Sequence, residues 1–321
     1  MKISYYTHPG NFTRTNGYGI AGFKIVTSLQ KLGYTVPYDD PSAQVQLNFC
    51  QPNWFVDALR PNQYQIGYTP WESTKVPEEW PDILNQCDEV WATSDWVANI
   101  YKENNIKKPI YIYHHGIEEI WRPKQRLNSN VIKFLHHGEP APRKGGQIAY
   151  DAFKAAFGDN KDVLLTIKGN GYSTVRQKMG GAPTGNVKII SGFYEDQDLV
   201  NLYHKHDVMV YPSYGEGFGF IALQALATGM PTICTKEWAP YKEYLHELTL
   251  EGKYIDSAWE FIHPGEVIKP DFDDLVDKYR YIYNNIDYLK KKFFAQSFNI
   301  HKTFDWVRLT KTAFEQLQER L

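Results

Sequence analysis

With 321 residues the chain exceeds a single ordinary domain of about 100–200 residues and predicts two, each large enough for its own core. Its formal net charge of −2 gives no basic face of the kind a dedicated duplex-DNA binder carries, so charge does not support a nucleic-acid partner and does not exclude one. Three scattered cysteines, Cys50, Cys87 and Cys234, speak against a disulfide framework or a cysteine metal cluster, and neither a signal-like region nor an apolar run of about 18 residues is found, which predicts a cytoplasmic protein without a membrane span.

Strand-like runs alternate with helical patterns in both halves. The first half offers Lys2–Thr7, Val45–Phe49, Gln65–Tyr68, Glu89–Thr93 and Ile110–Tyr113. The second offers Ile132–His136, Val163–Lys168, Val187–Ser191, Val208–Tyr211 and Thr232–Cys234. This alternation predicts an α/β protein with parallel sheets flanked by helices. Between the halves Glu118–Asn130 is polar, carries Trp-Arg-Pro and lacks hydrophobic periodicity, as a linker does. Lys290–Lys292 reads as a solvated helix face. From about Thr303, Trp306, Leu309, Ala313, Leu317 and Leu321 recur at helical spacing and predict an amphipathic closing helix. Aromatic residues make up 15% of the chain, an excess of the kind that lines ligand clefts.

The richest stretch is Tyr211–Thr235, where a buried strand ends in Pro-Ser, passes through Gly215, Glu216, Gly217, Phe218 and Gly219, and opens a helix that stops at Gly229 before Pro231. Such glycines let backbone approach a ligand, and a helix N-terminus suits hydroxyls and phosphates; a plain strand–turn–helix with packing glycines would look similar. Near the N-terminus Gly17–Gly22 spells G-x-G-x-x-G with Asp39 and Asp40 some twenty residues on, as in a dinucleotide fingerprint, but His8–Asn16 separates it from the first strand. The D-x-D strings Asp196–Asp198 and Asp271–Asp273 each precede a helical pattern, where aspartates cap. In the pairs His114–His115 and His136–His137, neighbours on a strand point to opposite faces, so one of each is expected in the cleft and neither pair is expected to hold zinc.

Glu216 followed by Gly-Phe-Gly, with Gln224 eight positions on, resembles the Glu-x7-Glu signature of the large retaining family 4 of GT-B glycosyltransferases. His136–Gly146 is similar to that family's Gly-Arg-Leu…Lys-Gly loop, and Ala149–Phe157 to the helix after it. Trp91–Pro123, with Ser94, His114–Gly116 and Trp121-Arg122-Pro123, looks like its passage between domains. Phe304-Asp305-Trp306 resembles the start of its closing helix. The likeness covers the chain well from Trp91 onward and loosely before it.

The resemblance implies a GT-B fold of two facing Rossmann-like domains: an N-terminal acceptor-side domain over 1–122, a nucleotide-sugar donor domain over 131–300, and a helix over 301–321 that packs back on the first. It implies that Lys144 and Arg143 neutralise a diphosphate, that Glu216 with the backbone of Gly217, Phe218, Gly219 and Phe220 holds the donor sugar, and that Gln224 reaches the ribose. Gly138 and Gly19 approach the donor, and Phe193 lies near its base. The expected co-substrate is a nucleotide-diphosphate sugar, with no metal or other cofactor, and the anomeric configuration is retained. Two departures bear on the site. Glu139 stands where the family usually has arginine, and Gln224 replaces the second glutamate, keeping an acceptor oxygen but losing charge.

For the acceptor, polar and aromatic residues at the ends of first-half strands are the candidates: His8, Arg14, Tyr18, Trp71 and Glu72. No general base stands out. The reading is a retaining hexosyl- or pentosyltransferase acting on a hydroxyl of a glycan, small molecule, protein or hydroxymethylated DNA base. The alternatives are a non-catalytic sugar-nucleotide-binding protein and an NAD- or FAD-dependent oxidoreductase.

Overall fold

The computed structural model describes residues 1–13, 16–127, 129–139, 141–169 and 185–321. The chain runs β1 (Ile3–Tyr6), α1 (Gly17–Lys31), β2 (Val45–Phe49), β3 (Tyr64–Tyr68), α2 (Trp80–Leu84), β4 (Glu89–Ala92), α3 (Asp95–Glu103) and β5 (Ile110–Ile112). It continues through β6 (Ile132–His137), α4 (Gly146–Phe157), β7 (Val163–Gly169), β8 (Val187–Ser191), α5 (Asp196–His204), β9 (Val208–Tyr211), α6 (Phe220–Ala227) and β10 (Thr232–Thr235). The short β11 (Thr249–Leu250), the strands β12 (Gly252–Asp256) and β13 (Glu266–Pro270), and the helices α7 (Phe272–Thr303) and α8 (Trp306–Arg320) complete it.

Two parallel sheets result, in the orders β1-β2-β3-β4-β5 and β11-β10-β9-β6-β7-β8. β2, β4, β9 and β10 are buried along their whole length, as strands covered by helices on both faces must be. All ten expected strands are present. The antiparallel pair β12–β13 was not foreseen: its outer residues are polar and exposed, so it shows no apolar alternation to read.

The closing helix crosses back to the first sheet. Asp305 caps α8 by accepting from Arg308 N at 2.7 Å, and Trp306, Phe314 and Leu317 bury against Ile25, Leu29 and Trp91. Its last turn is held by Arg320, which pairs with fully buried Glu89 at 2.9 Å and lies 3.7 Å over the Tyr111 ring. Among the described residues no helix is long and apolar enough to cross a membrane.

Three smaller expectations change. Lys290 is buried, paired with Asp207 at 2.8 Å, and Lys292 meets Glu247 at 2.6 Å, so that run is not a solvated face; the aliphatic stem buries because the ammonium finds a carboxylate. Asp271 does cap α7, accepting from Asp274 N at 2.9 Å, but Glu195 is the residue before α5, without a capping bond, and Asp196 and Asp198 lie inside its first turn, where negative charge suits the helix end. The linker is anchored within 118–127, where Arg126 is buried and donates to His206 O at 2.7 Å and Thr228 O at 2.8 Å.

Candidate active site

The loop after β6 folds as a 3-10 turn, Pro142–Lys144, ended by Gly145 at φ +76°. A β-carbon on Gly145 would stand 2.0 Å from Pro212 O, so only glycine lets this loop press against the one after β9. Tyr214 N donates to Arg143 O at 2.8 Å and fixes the contact. Together these place two cations on one carboxylate. Glu216 Oε1 accepts from Lys144 Nζ at 2.7 Å, Arg143 Nη1 at 3.2 Å, Tyr211 Oη at 2.8 Å and Ser213 Oγ at 2.8 Å. Burial alone would push the Glu216 carboxyl up, but Lys144 and Arg143 outweigh it and hold it at about 2. Burial pulls Lys144 down, while Glu216 and Glu72 hold Arg143 above its ordinary range against the same burial.

Directly after Glu216 the chain enters α6. Gly219 caps it at φ +78°, where a β-carbon would meet the Trp238 ring at 2.4 Å and Tyr241 Oη at 2.5 Å. No side chain caps this helix, so its first-turn N–H groups and its positive dipole end are left for a ligand. Phe218 is buried at 5.0 Å from the His115 ring, and Phe220 stacks on His115 at 5.0 Å, so both side chains are packing. Gln224 is buried one turn further on.

The opposite wall is the loop after β3. A β-carbon on Gly217 would lie 2.3 Å from Pro70 Cβ, and one on Gly215 would lie 2.1 Å from Glu72 O. These two glycines therefore serve an approach between the sheets' loops, a use the motif alone did not show. Thr93 Oγ1 donates to Gly217 O across the same seam. Further out Thr74 N donates to Glu266 O at 2.9 Å and Glu266 N to Thr74 Oγ1 at 2.7 Å. Glu72 enters the cleft with Oε1 3.7 Å from Arg143 Nη2 and Oε2 3.9 Å from His263 Nδ1. His263, on the β12–β13 loop, was missed because that pair of strands was.

The structure thus gathers Lys144, Arg143, Glu216, Gly217–Phe220 and Glu72 at one place, with Gln224 on the adjoining helix. Gly138 is beside Lys144, but its N–H is taken by Lys168 O at 3.1 Å. Phe193 is exposed, two residues beyond β8. Glu139 is exposed and pairs with neither Arg143 nor Lys144.

Others fall elsewhere. Gly19 does not offer its backbone to a ligand: its N–H is bonded to Asn16 Oδ1 at 2.7 Å, and a β-carbon there would sit 1.6 Å from Thr13 O. Gly22 is likewise covered by Tyr5, while Asp39 pairs with Arg60 and Asp40 with Lys2. Gly19 and Gly22 are therefore packing glycines, while Gly17 is exposed and a β-carbon on it would meet nothing within 4 Å, so two of the three fingerprint glycines serve the fold. Trp71 is a buried strut, donating to Lys75 O at 2.7 Å and set edge-on to Trp80 at 4.5 Å, so it is not a free acceptor platform. Tyr18 packs on Phe49 and bonds Thr69 Oγ1 at 2.6 Å. His8 caps a short turn and lies tilted against Trp54 at 4.6 Å. Arg14 lies outside the described residues.

On β6 the two histidines take partners on different elements, whereas His114 and His115 lie beyond the end of β5. His136 is bonded to Val210 O at 2.9 Å beside Gly146, and His137 to Tyr203 Oη at 2.8 Å on the α5 side. His114 is bonded to Thr93 O at 2.8 Å, and His115 is buried with both ring nitrogens unpartnered among the described residues.

Comparison with known proteins follows the same outline. Residues 117–259 match the family model described as glycosyl transferases group 1. A glycosyltransferase described as putative from a Sulfolobus islandicus filamentous virus is 22% identical over 60% of this chain and 55% of its own length. An uncharacterized glycosyltransferase of Methanocaldococcus jannaschii is 24% identical over 72% of this chain and 60% of its own. The chain therefore spans little more than half the length of these curated relatives. Among solved structures, sucrose-phosphate synthase from Thermosynechococcus elongatus superposes with a TM-score of 0.75 at 13% identity, covering 99% of both chains. A Rickettsia africae glycosyltransferase does so with a TM-score of 0.74 at 15% identity, covering 99% of this chain and 98% of that one. The fold is GT-B, and the match to glycosyl transferases group 1 agrees with the likeness to a GT-B glycosyltransferase read from the motifs.

Proposed function

We propose that the chain is a glycosyltransferase that moves a hexosyl or pentosyl group from a nucleoside-diphosphate sugar to an acceptor hydroxyl, with retention of anomeric configuration and without a metal ion. The observation that carries this reading is the Glu216 carboxylate held at 2.7 Å from Lys144 and 3.2 Å from Arg143 beside the uncapped start of α6. Breaking the sugar–phosphate bond builds negative charge on the leaving diphosphate, and fixed cations with helix-end N–H groups stabilise it. Lys144 and Arg143 take the diphosphate. The hydrogen bonds to Glu216 all go to Oε1, leaving Oε2 to accept from sugar hydroxyls. Gln224 bonds the ribose as a neutral acceptor, and Phe193 flanks the base. Glu139, exposed and paired with neither cation, leaves Arg143 and Lys144 to the diphosphate. Retention rests on the likeness to family 4.

Thermal stabilisation against a panel of nucleoside diphosphates and their sugars, with NAD and FAD alongside, tests the reading. A ligand at about 100 times its Kd adds about 2.7 kcal/mol to apparent stability. One nucleotide sugar should raise Tm clearly and release its nucleotide on incubation. Binding without release would mean a sugar-nucleotide-binding protein, and a shift with NAD or FAD alone would overturn the proposal. With the donor fixed, glycan, small-molecule, peptide and hydroxymethylated-DNA acceptors follow by nucleotide release.

A further inference from the structure

The β12–β13 loop brings into the cleft a histidine that the donor chemistry does not use. His263 N donates to Trp259 O at 2.8 Å, and the next residue accepts from the opposite wall, Lys75 N donating to Pro264 O at 3.3 Å. A β-carbon on Gly265 would meet Lys75 Cγ at 2.5 Å, so the loop is pressed against Thr74 and Lys75. The ring is therefore held relative to both walls, tilted against buried Trp71 at 5.4 Å. Its Nδ1 is sealed from solvent with no hydrogen-bond partner among the described residues, whereas Nε2 is not so sealed. Glu72 Oε2 stands 3.9 Å from that Nδ1, beyond hydrogen-bond length, and Glu72 Oε1 stands 3.7 Å from Arg143. A carboxylate is thus poised between two partners and fully bonded to neither.

Resting on the glycosyltransferase reading, we infer that Glu72 and His263 form a carboxylate–imidazole pair that binds the attacking hydroxyl of the acceptor, Glu72 accepting from Nδ1–H and Nε2 accepting from the hydroxyl. A donor diphosphate competes with Glu72 for Arg143 and repels the carboxylate. The N–H then left within reach of Glu72 is that of His263 Nδ1, about 1 Å short of a normal bond. Making that bond fixes the tautomer and leaves the Nε2 lone pair toward the cleft. Burial keeps the ring neutral, with Glu72, Arg143, Glu216 and Lys144 as the charged groups around it. Because Glu72 comes from the first wall and His263 from the second, the pair exists only when the walls meet. The hydroxyl is received only after the donor is in place.

Two measurements on the full chain test this, using whichever nucleoside diphosphate stabilises it. With 15N-histidine label, adding that diphosphate should bring up a downfield Nδ1–H resonance that is missing in Glu72→Ala and in His263→Gln. With water as acceptor, His263→Ala should lower kcat for nucleotide release from the donor sugar about tenfold or more at unchanged donor KM. His263→Gln, whose amide oxygen falls near the place of Nε2, should recover part of the loss. Unchanged kcat, a rise in donor KM alone, or a resonance indifferent to Glu72 overturns the pair while leaving the donor site intact. If no nucleoside diphosphate stabilises the chain, the glycosyltransferase reading falls and this inference with it.

Discussion

Gly217 lies so close to Pro70 that a β-carbon on it would stand 2.3 Å from Pro70 Cβ, and 2.8 Å from Trp71 N. One hydrogen atom thus separates the loop that starts α6 from the loop that follows β3. Strand ends of the two sheets meet here, which is where open α/β sheets place their ligands. Gly215 and Gly265 repeat the close approach on either side, against Glu72 and Lys75.

Gly217→Ala is expected to push the walls apart, because the atoms it meets are backbone and a proline ring that cannot turn away. Overpacking of this kind costs about 1–3 kcal/mol, and a displacement near 1 Å at reacting groups costs about 100-fold in rate. Solution scattering should show a larger radius of gyration and nucleotide release should fall, with each half still folded. Unchanged scattering would mean that the contact is not kept in solution.

Lys144→Ala should abolish donor turnover by about 100- to 1000-fold, the scale of losing one fixed charge on a leaving group. Arg143 and the Tyr211 and Ser213 hydroxyls remain on Glu216, so the fold should survive with little change in Tm. Nucleotide release and circular dichroism on the same sample separate the two effects. Full turnover would remove Lys144 from the donor site.

Acid sensitivity should begin well above the carboxylate range. His115 and His136 are buried, and burial lowers them to about 3 and about 4 from an ordinary 6.5. Below pH 6.5 the unfolded chain binds protons that these rings do not. Each ring therefore removes stability at about 1.4 kcal/mol per pH unit, from 6.5 down to its folded value. Glu216 acts in a lower window: its contribution is complete above about 4.5 and is lost only as pH falls toward 2. His115, stacked on Phe220 with both nitrogens unpartnered, allows a direct check. His115→Phe should raise stability by about 1–3 kcal/mol at pH 7, the cost of an unsatisfied buried polar group, and flatten the decline between pH 6.5 and 5. A Tm profile unchanged by that substitution would show that the ring finds a partner.

What could be read from the residues alone divides along physical lines. Ten of the eleven strands in the two parallel sheets were legible as short strand-like runs between helical patterns, whereas β11, with two residues, was too short to leave one. Lys144 and Glu216 were legible through a motif, but the contact between them was not, since it depends on Gly145 pressing on Pro212 O. The β12–β13 pair escaped because it gains from backbone bonds across the cleft, Thr74 to Glu266, which leave no side-chain pattern. Trp71 and Tyr18 misled for a related reason. Trp71, beyond the end of β3, meets Trp80, and Tyr18, in the first turn of α1, meets Phe49, contacts that leave no mark in the sequence.

The last turn of α8 supplies the sharpest stability test. Glu89 is fully buried on β4 and accepts from Arg320 at 2.9 Å, from Trp91 Nε1 at 2.6 Å and from Tyr64 Oη at 3.1 Å. Arg320→Ala leaves two neutral donors on an otherwise unpaired buried charge, a change that costs about 3–5 kcal/mol. The cost is not the net worth of the pair, because bringing both charges out of water was itself unfavourable. Glu89→Gln combined with Arg320→Met should therefore be less destabilised than Arg320→Ala alone, with the methionine covering the Tyr111 ring that Arg320 now covers. Urea denaturation of the three proteins settles it. A double variant worse than the single would mean that the ion pair, and not the packing around it, fastens the closing helix to the first sheet.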